Sequence, residues 1–184
     1  MELRELLYTD VIPRIKQKDR STIIGEGTQG EIYGRFICKS HRDLCFKVFY
    51  PKGELAKDEF AVLSFAHKIG LSVPKPIEVF DDANAFAMKT IFGLNLEEII
   101  KKKLKVSTDV TEQFIDVITE VCTVINHNDL SVRNVMLGDL EIDGGIIIDA
   151  IPFVIDFGHS TIKTNKSKSD EGHNVIKEIN KITC

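Results

Sequence analysis

The segment His127-Asn128-Asp129-Leu130-Ser131-Val132-Arg133-Asn134 puts a carboxylate and a carboxamide five residues apart in a polar loop. A loop that wraps around one point can aim both groups at it. Asp129 could then orient a hydroxyl and take its proton, while the Asn134 oxygen is a hard ligand suited to Mg2+. Further on, Ile155-Asp156-Phe157-Gly158 ends an apolar run on another carboxylate, which could share a metal ion bridging phosphate oxygens. Lys47, in Cys45-Phe46-Lys47-Val48-Phe49, is flanked by apolar residues and is costly to bury without an anion. Either it sits on an edge strand facing water, or it holds phosphates while pairing with a helix carboxylate. Glu59 is the first choice of partner and Glu54 the alternative.

Gly25-Glu26-Gly27-Thr28-Gln29-Gly30 precedes Ile32. Three glycines at this spacing are weak evidence alone, because tight hairpins use glycine for positive φ. The functional alternative is a hairpin whose N–H groups lie over phosphates. A dinucleotide-binding turn would lead into a helix; here Glu31-Ile32-Tyr33-Gly34-Arg35-Phe36 alternates as a strand, which argues against that fold.

The elements that must position these groups differ between the two halves. From Ser21 to Lys89, short β-branched runs alternate with Gly, Pro and Asp. The predicted order is strands at Ile23-Ile24, Glu31 to Phe36 and Leu44 to Phe49, a helix from Ala56 to Lys68, then strands near Ile77 to Phe80 and Ala85 to Lys89. Pro51 and Gly53 interrupt the sheet, and Pro74 and Pro76 close off the helix. The second half predicts a short helix from Leu96 to Leu104 and a longer one from Asp109 to Ile125. Asp109 and Glu112 suggest a capping box for the longer helix, and Phe114, Val117, Ile118, Val121, Cys122 and Ile125 supply its apolar stripe. Strands follow at Val135 to Leu137 and Ile146 to Ile155, then a polar segment from Thr164 to Asp170 and a helix marked by Val175, Ile176, Ile179 and Ile182. The stretch from Gly138 to Phe153 is longer than a simple hairpin requires.

The 184 residues suffice for one domain or two small lobes. A net charge of −4 argues against nucleic acid or an acidic membrane surface as the main partner. No apolar run approaches the roughly 20 residues of a membrane helix, and no cleavable secretory signal is visible, so a cytoplasmic setting is expected. Lys101-Lys102-Lys103 follows Glu97 and Glu98 and is expected to be a solvated face rather than a phosphate or lipid patch. Cys38, Cys45, Cys122 and Cys184 lack metal-ligand spacing and are expected to be reduced thiols.

With glycine-rich turn, strand lysine, helix glutamate, His-x-Asp-Leu-x-x-x-Asn loop and Asp-Phe-Gly in this order, the sequence from Ile23 to Ser160 resembles a protein kinase. The resemblance implies an α+β, bilobal fold in a single domain over residues 1–184. Residues 1–89 would form an N-lobe, with an N-terminal extension, a five-stranded antiparallel sheet and one helix. Residues 90–184 would form a truncated, mainly helical C-lobe. It implies an ATP- and Mg2+-dependent phosphotransferase in which Gly25, Gly27, Gly30 and Lys47 bind phosphates and Glu59 holds Lys47. Ile24 and Ile32 would cover the adenine, and Met88 would be the gatekeeper before a hinge at Lys89 to Ile91. Asp129 would be the catalytic base, and Asn134 and Asp156 the metal ligands.

Departures from the pattern shape the expectation. Asn128 replaces the arginine that usually receives a phosphorylated activation loop, so a constitutively formed site is expected. Ser131 replaces a lysine common in serine/threonine kinases, and Arg133 could neutralise γ-phosphate charge. Only 26 residues follow Gly158, with no Ala-Pro-Glu. The small C-lobe resembles those of type III secreted effector kinases of bacterial pathogens and of the atypical RIO and Kae-associated kinases. That likeness implies a protein substrate, an effector setting in a host cytosol and room for a partner that completes the lobe. Aminoglycoside-type small-molecule kinases and a kinase-shaped scaffold are the alternatives.

Overall fold

The computed structural model describes residues 2–17, 19–34, 41–50, 55–164 and 172–184. The expected features at Arg35, Phe36, Cys38, Pro51, Gly53, Glu54 and 165–170 lie outside them. The chain divides into two compact units: residues 1–64 with 75–90, and residues 65–74 with 91–184.

In the first unit, β1 (Ile23–Glu26), β2 (Gly30–Tyr33), β3 (Leu44–Phe49), β4 (Pro76–Phe80) and β5 (Ala85–Lys89) form one sheet in the order β1-β2-β3-β5-β4. Every neighbouring pair is antiparallel. Cross-strand pairs share a face, so the register sorts the side chains. Tyr33, Phe46 and Ala87 align on one face, with Val48 and Ala85 beside them. That face is covered by the N-terminal helical segment: α1 (Leu3–Leu6), a π turn (Leu7–Val11) and α2 (Ile12–Gln17). Leu6, Leu7 and Val11 are fully buried against it. Pro13 offers no N–H, and its ring crowds the carbonyl four residues earlier; the wider π turn accommodates this. Arg4 and Tyr8 both donate to Asp82, at 3.1 and 2.5 Å, tying the segment to the β4–β5 connection.

The opposite face of this sheet carries Ile32, Lys47 and Phe86 in one row, with Cys45 and Met88 in the next. The helix α3 (Leu55–Lys68) contributes Glu59 and Phe60 there; the Phe60 ring lies 5.8 Å from that of Phe86.

The second unit is built from β6 (Gly93–Asn95), α4 (Leu96–Lys101), β7 (Lys105–Val106), α5 (Thr108–Val124), β8 (Ile125–Asn126), β9 (Val135–Asp143), β10 (Ile146–Val154), β11 (Thr161–Ile162) and α6 (His173–Ile182). One sheet runs β6-β9-β10-β7, and β8 pairs with β11. The long stretch after Gly138 is explained by β9 and β10, nine residues each, joined at Gly144-Gly145. Both glycines have positive φ, +53° and +84°, as a two-residue hairpin turn demands. The extra length takes β7 alongside Ile146 and Ile147.

Helix starts differ from the expected caps. The cap of α5 is Ser107, whose hydroxyl accepts from the Val110 N–H, so Asp109 lies inside the first turn rather than at the cap. A reciprocal capping box does form, at Asn95 and Glu98 of α4. Among the described residues no helix is long and apolar enough to cross a membrane.

Candidate active site

Lys47 is centred on β3, with neighbouring strands on both sides, so the edge-strand alternative does not hold. Its Nζ donates to both carboxylate oxygens of Glu59, at 2.9 and 2.7 Å. The lysine is 6% exposed and the glutamate 4%. The same ammonium stands 5.2 Å from the centre of the Phe49 ring. A buried ion pair of this kind holds each charge in place while removing both from water.

Several predicted nucleotide-contacting residues share the Lys47 face. Gly25 pairs with Ile32, and Ile32 with Lys47. Ile24 is 37% exposed and lies over Gly34, where a Cβ would come within 2.8 Å of its Cδ1. Met88 is buried opposite Cys45, whose thiol reaches the Met88 carbonyl at 3.7 Å. Burial pushes that thiol up to about 12, which marks Cys45 as an inert core group.

None of the three glycines in the turn has positive φ, so the plain hairpin alternative does not account for them. Gly30 is required by packing instead: a Cβ there would lie 2.3 Å from the Val48 carbonyl oxygen. For Gly27 the nearest atom is 3.9 Å away, so the fold leaves that position open. The Gly27 N–H donates to the Gly30 carbonyl at 2.9 Å and closes the turn. Phosphate contacts would then fall to the next two N–H groups, Thr28 and Gln29. Gly30→Ala should lower unfolding free energy by about 1–3 kcal/mol through overpacking. Gly27→Ala should leave the denaturation midpoint unchanged but weaken nucleotide binding. Denaturant titration and calorimetry with ATP test the contrast; equal losses of stability would refute it.

The residues of the His127 to Asn134 loop and Asp156 all fall in the second unit. Asn134 Nδ2 donates to the Asp129 carbonyl at 2.8 Å and to its carboxylate at 3.3 Å. With Nδ2 donating to Asp129, the amide oxygen is the atom of the Asn134 side chain that could ligate a cation. The Ile155 N–H donates to the Asn134 carbonyl at 2.9 Å, so Asp156 follows directly on a backbone contact with Asn134. Buried His127 joins the two stretches: its Nε2 is 2.9 Å from the Ile155 carbonyl, and its ring packs at a tilt against Phe157 with centroids 5.1 Å apart. His127 was not among the expected site residues, although its place at the head of the His-x-Asp motif signalled it. Asp129 and Asp156 are exposed. Asp156 has φ +61°, a left-handed conformation that costs most residues roughly 1–2 kcal/mol and that Asp tolerates better.

Arg133 is exposed. Its charge reaches Glu97, whose carboxyl is held below the ordinary range first by a hydrogen bond from Lys101 and then by the charges of Lys101 and Arg133.

Among the described residues no three His, Cys, Asp or Glu side chains cluster as a self-sufficient metal cage. Mg2+ characteristically takes one or two protein oxygens and completes its shell with phosphates and water. The Asn134 oxygen and Asp156 carboxylate fit that donor set.

The RIO domain model matches residues 46–166, which contain Lys47, Glu59, the His127 to Asn134 loop and Asp156. The chain belongs to the RIO domain family. Two solved structures of Rio2 kinase from Chaetomium thermophilum resemble this RIO domain at 15% identity. One is a complex with ADP/Mg2+ and phosphoaspartate; it has a TM-score of 0.61 and is matched by 98% of this chain over 60% of its own. The other has a TM-score of 0.59, with 99% and 61% covered. A further solved kinase domain has a TM-score of 0.59 at 18% identity, with 79% of this chain covering 51% of that one. The likeness establishes an α+β kinase-like fold, and the chain spans about three-fifths of the Rio2 chains. No curated protein sequence matches it.

Proposed function

We propose that this RIO domain transfers the γ-phosphoryl group of ATP to a serine or threonine hydroxyl of a protein, with Mg2+ required. The observation that carries it is the buried Lys47–Glu59 pair. Two charges in a sheet-and-helix core contribute little to stability relative to apolar residues of similar volume. A fixed ammonium on the same face as Ile24, Ile32 and Met88 is, in contrast, what a nucleotide phosphate needs.

In this scheme Lys47 neutralises α/β-phosphate charge and Glu59 fixes its direction. Asp129 orients the acceptor hydroxyl and takes its proton, within a loop that the Asn134 side chain holds closed. Asn134 and Asp156 would hold the metal ion, which when bound supplies positive charge to the transferring phosphate oxygens. Arg133 adds charge at the loop surface. The residues thus contribute positioning and electrostatic stabilisation, the dominant sources of rate in phosphoryl transfer.

The phosphoaspartate of the Rio2 complex supplies a second reading, in which the acceptor is a carboxylate of the chain itself. Transfer from γ-labelled ATP, followed by hydroxylamine treatment, separates the two. Phosphoserine and phosphothreonine withstand hydroxylamine, whereas an acyl phosphate is cleaved. Stable label in a second protein supports the first reading; labile label in this chain supports the second. Absence of both, with and without Mg2+, would defeat the phosphotransferase proposal.

A further inference from the structure

Asp156 is flanked on both sides by contacts to one dipeptide, His127-Asn128. On the N-terminal side, His127 Nε2 meets the Ile155 carbonyl at 2.9 Å. On the C-terminal side, Asn128 Nδ2 donates to the His159 carbonyl at 2.7 Å, and Ser160 Oγ donates to the His127 carbonyl at 3.2 Å. The Ser160 N–H closes a turn onto the Phe157 carbonyl at 2.9 Å. The β8–β11 pairing then continues the attachment, with Thr161 opposite Asn126 and Ile162 opposite Ile125.

Asn128 has φ +62°, and Asp156 has +61°. Asn is among the few residues that occupy this region at low cost, and its short carboxamide reaches a carbonyl that a longer side chain there would overshoot. A carboxylate in a left-handed conformation keeps its direction only if its neighbours are fixed. Here no phosphate is needed to fix them.

We infer that Asn128 is a positioning residue for Asp156: its carboxamide holds the stretch after Gly158 and thereby sets the affinity of the Asn134–Asp156 pair for the divalent metal. This rests on the phosphotransferase reading and deepens it, since it assigns the post-Gly158 segment a permanent, phosphorylation-independent anchor.

Two variants separate the hydrogen bond from the backbone conformation. Asn128→Asp is isosteric and tolerates positive φ but has no N–H to donate. Asn128→Gly favours the same φ, lacks the carboxamide and adds no charge. The readout is Mn2+ binding in the presence of ADP, followed by electron paramagnetic resonance, beside the Mg2+ dependence of label transfer. Both variants should weaken Mn2+ binding about five- to tenfold, the scale of one hydrogen bond. Saturating Mg2+ should restore turnover to the wild-type level, which a general folding defect would not allow. Unchanged Mn2+ binding in both variants overturns the role of Asn128. So does weakening confined to Asn128→Asp, or a turnover loss that excess metal does not repair. A wild-type chain that takes up no Mn2+–ADP overturns the underlying phosphotransferase reading instead.

Discussion

Asp129→Ala is expected to cut phosphoryl transfer by about 10²–10⁴-fold, the usual contribution of a positioned general base. Thermal stabilisation by Mg-ATP should stay nearly intact, because the proposed nucleotide contacts lie on other residues. The fold should barely register the change. Asp129 is exposed, and its carboxylate receives one long hydrogen bond from Asn134, whose 2.8 Å bond to the Asp129 backbone carbonyl survives the substitution. Asp129→Asn should be equally inactive, since it preserves shape while removing the proton acceptor. Initial rates with labelled ATP, measured beside melting curves, decide the matter. Turnover within threefold of wild type would remove Asp129 from the mechanism.

The second large effect concerns stability as much as activity. Lys47→Met removes one partner of a pair buried to 6% and 4% exposure and leaves the Glu59 carboxylate without its ammonium. Losses of about 3–5 kcal/mol are typical when a buried pair is broken from one side. The double variant Lys47→Met with Glu59→Leu replaces both charges by apolar groups of similar size. It should recover most of that loss, because the desolvation cost disappears with the charges. Neither variant should bind ATP productively. Urea denaturation of wild type, both single variants and the double variant closes the cycle. If the double variant were as unstable as the singles, the pair would be a structural requirement and its link to nucleotide binding would lose its support.

The five strands of the first sheet and α3 were legible because alternation with period two, broken by glycine and proline, marks strands flanking one amphipathic helix. The Lys47–Glu59 pair was legible because a lysine within an apolar strand demands a partner. The N-terminal helical segment escaped notice, although Leu3, Leu6, Leu7, Val11 and Ile15 recur at helical spacing. Pro13 interrupts that spacing, and the π turn shifts its phase. The cap of α5 was misplaced because Asp109 with Glu112 imitates a capping box, while Ser107 two residues earlier takes the cap position. Which of the glycines the fold itself requires was not legible, for another reason. Whether a glycine serves φ or close approach depends on what lies over it, and the Val48 carbonyl against Gly30 is a tertiary fact.

The family match starts at Phe46, within β3, and that position has a practical meaning for anyone choosing where to begin an expressed fragment. Cutting there discards β1, β2 and the helical cover supplied by residues 3–17. Phe46, Val48, Ala85 and Ala87 would lose their lid, and β3 would become a bare rim with unpaired amide groups. Such a fragment should precipitate or bind hydrophobic dyes, so the boundary of recognisable kinship is not a boundary of autonomous folding.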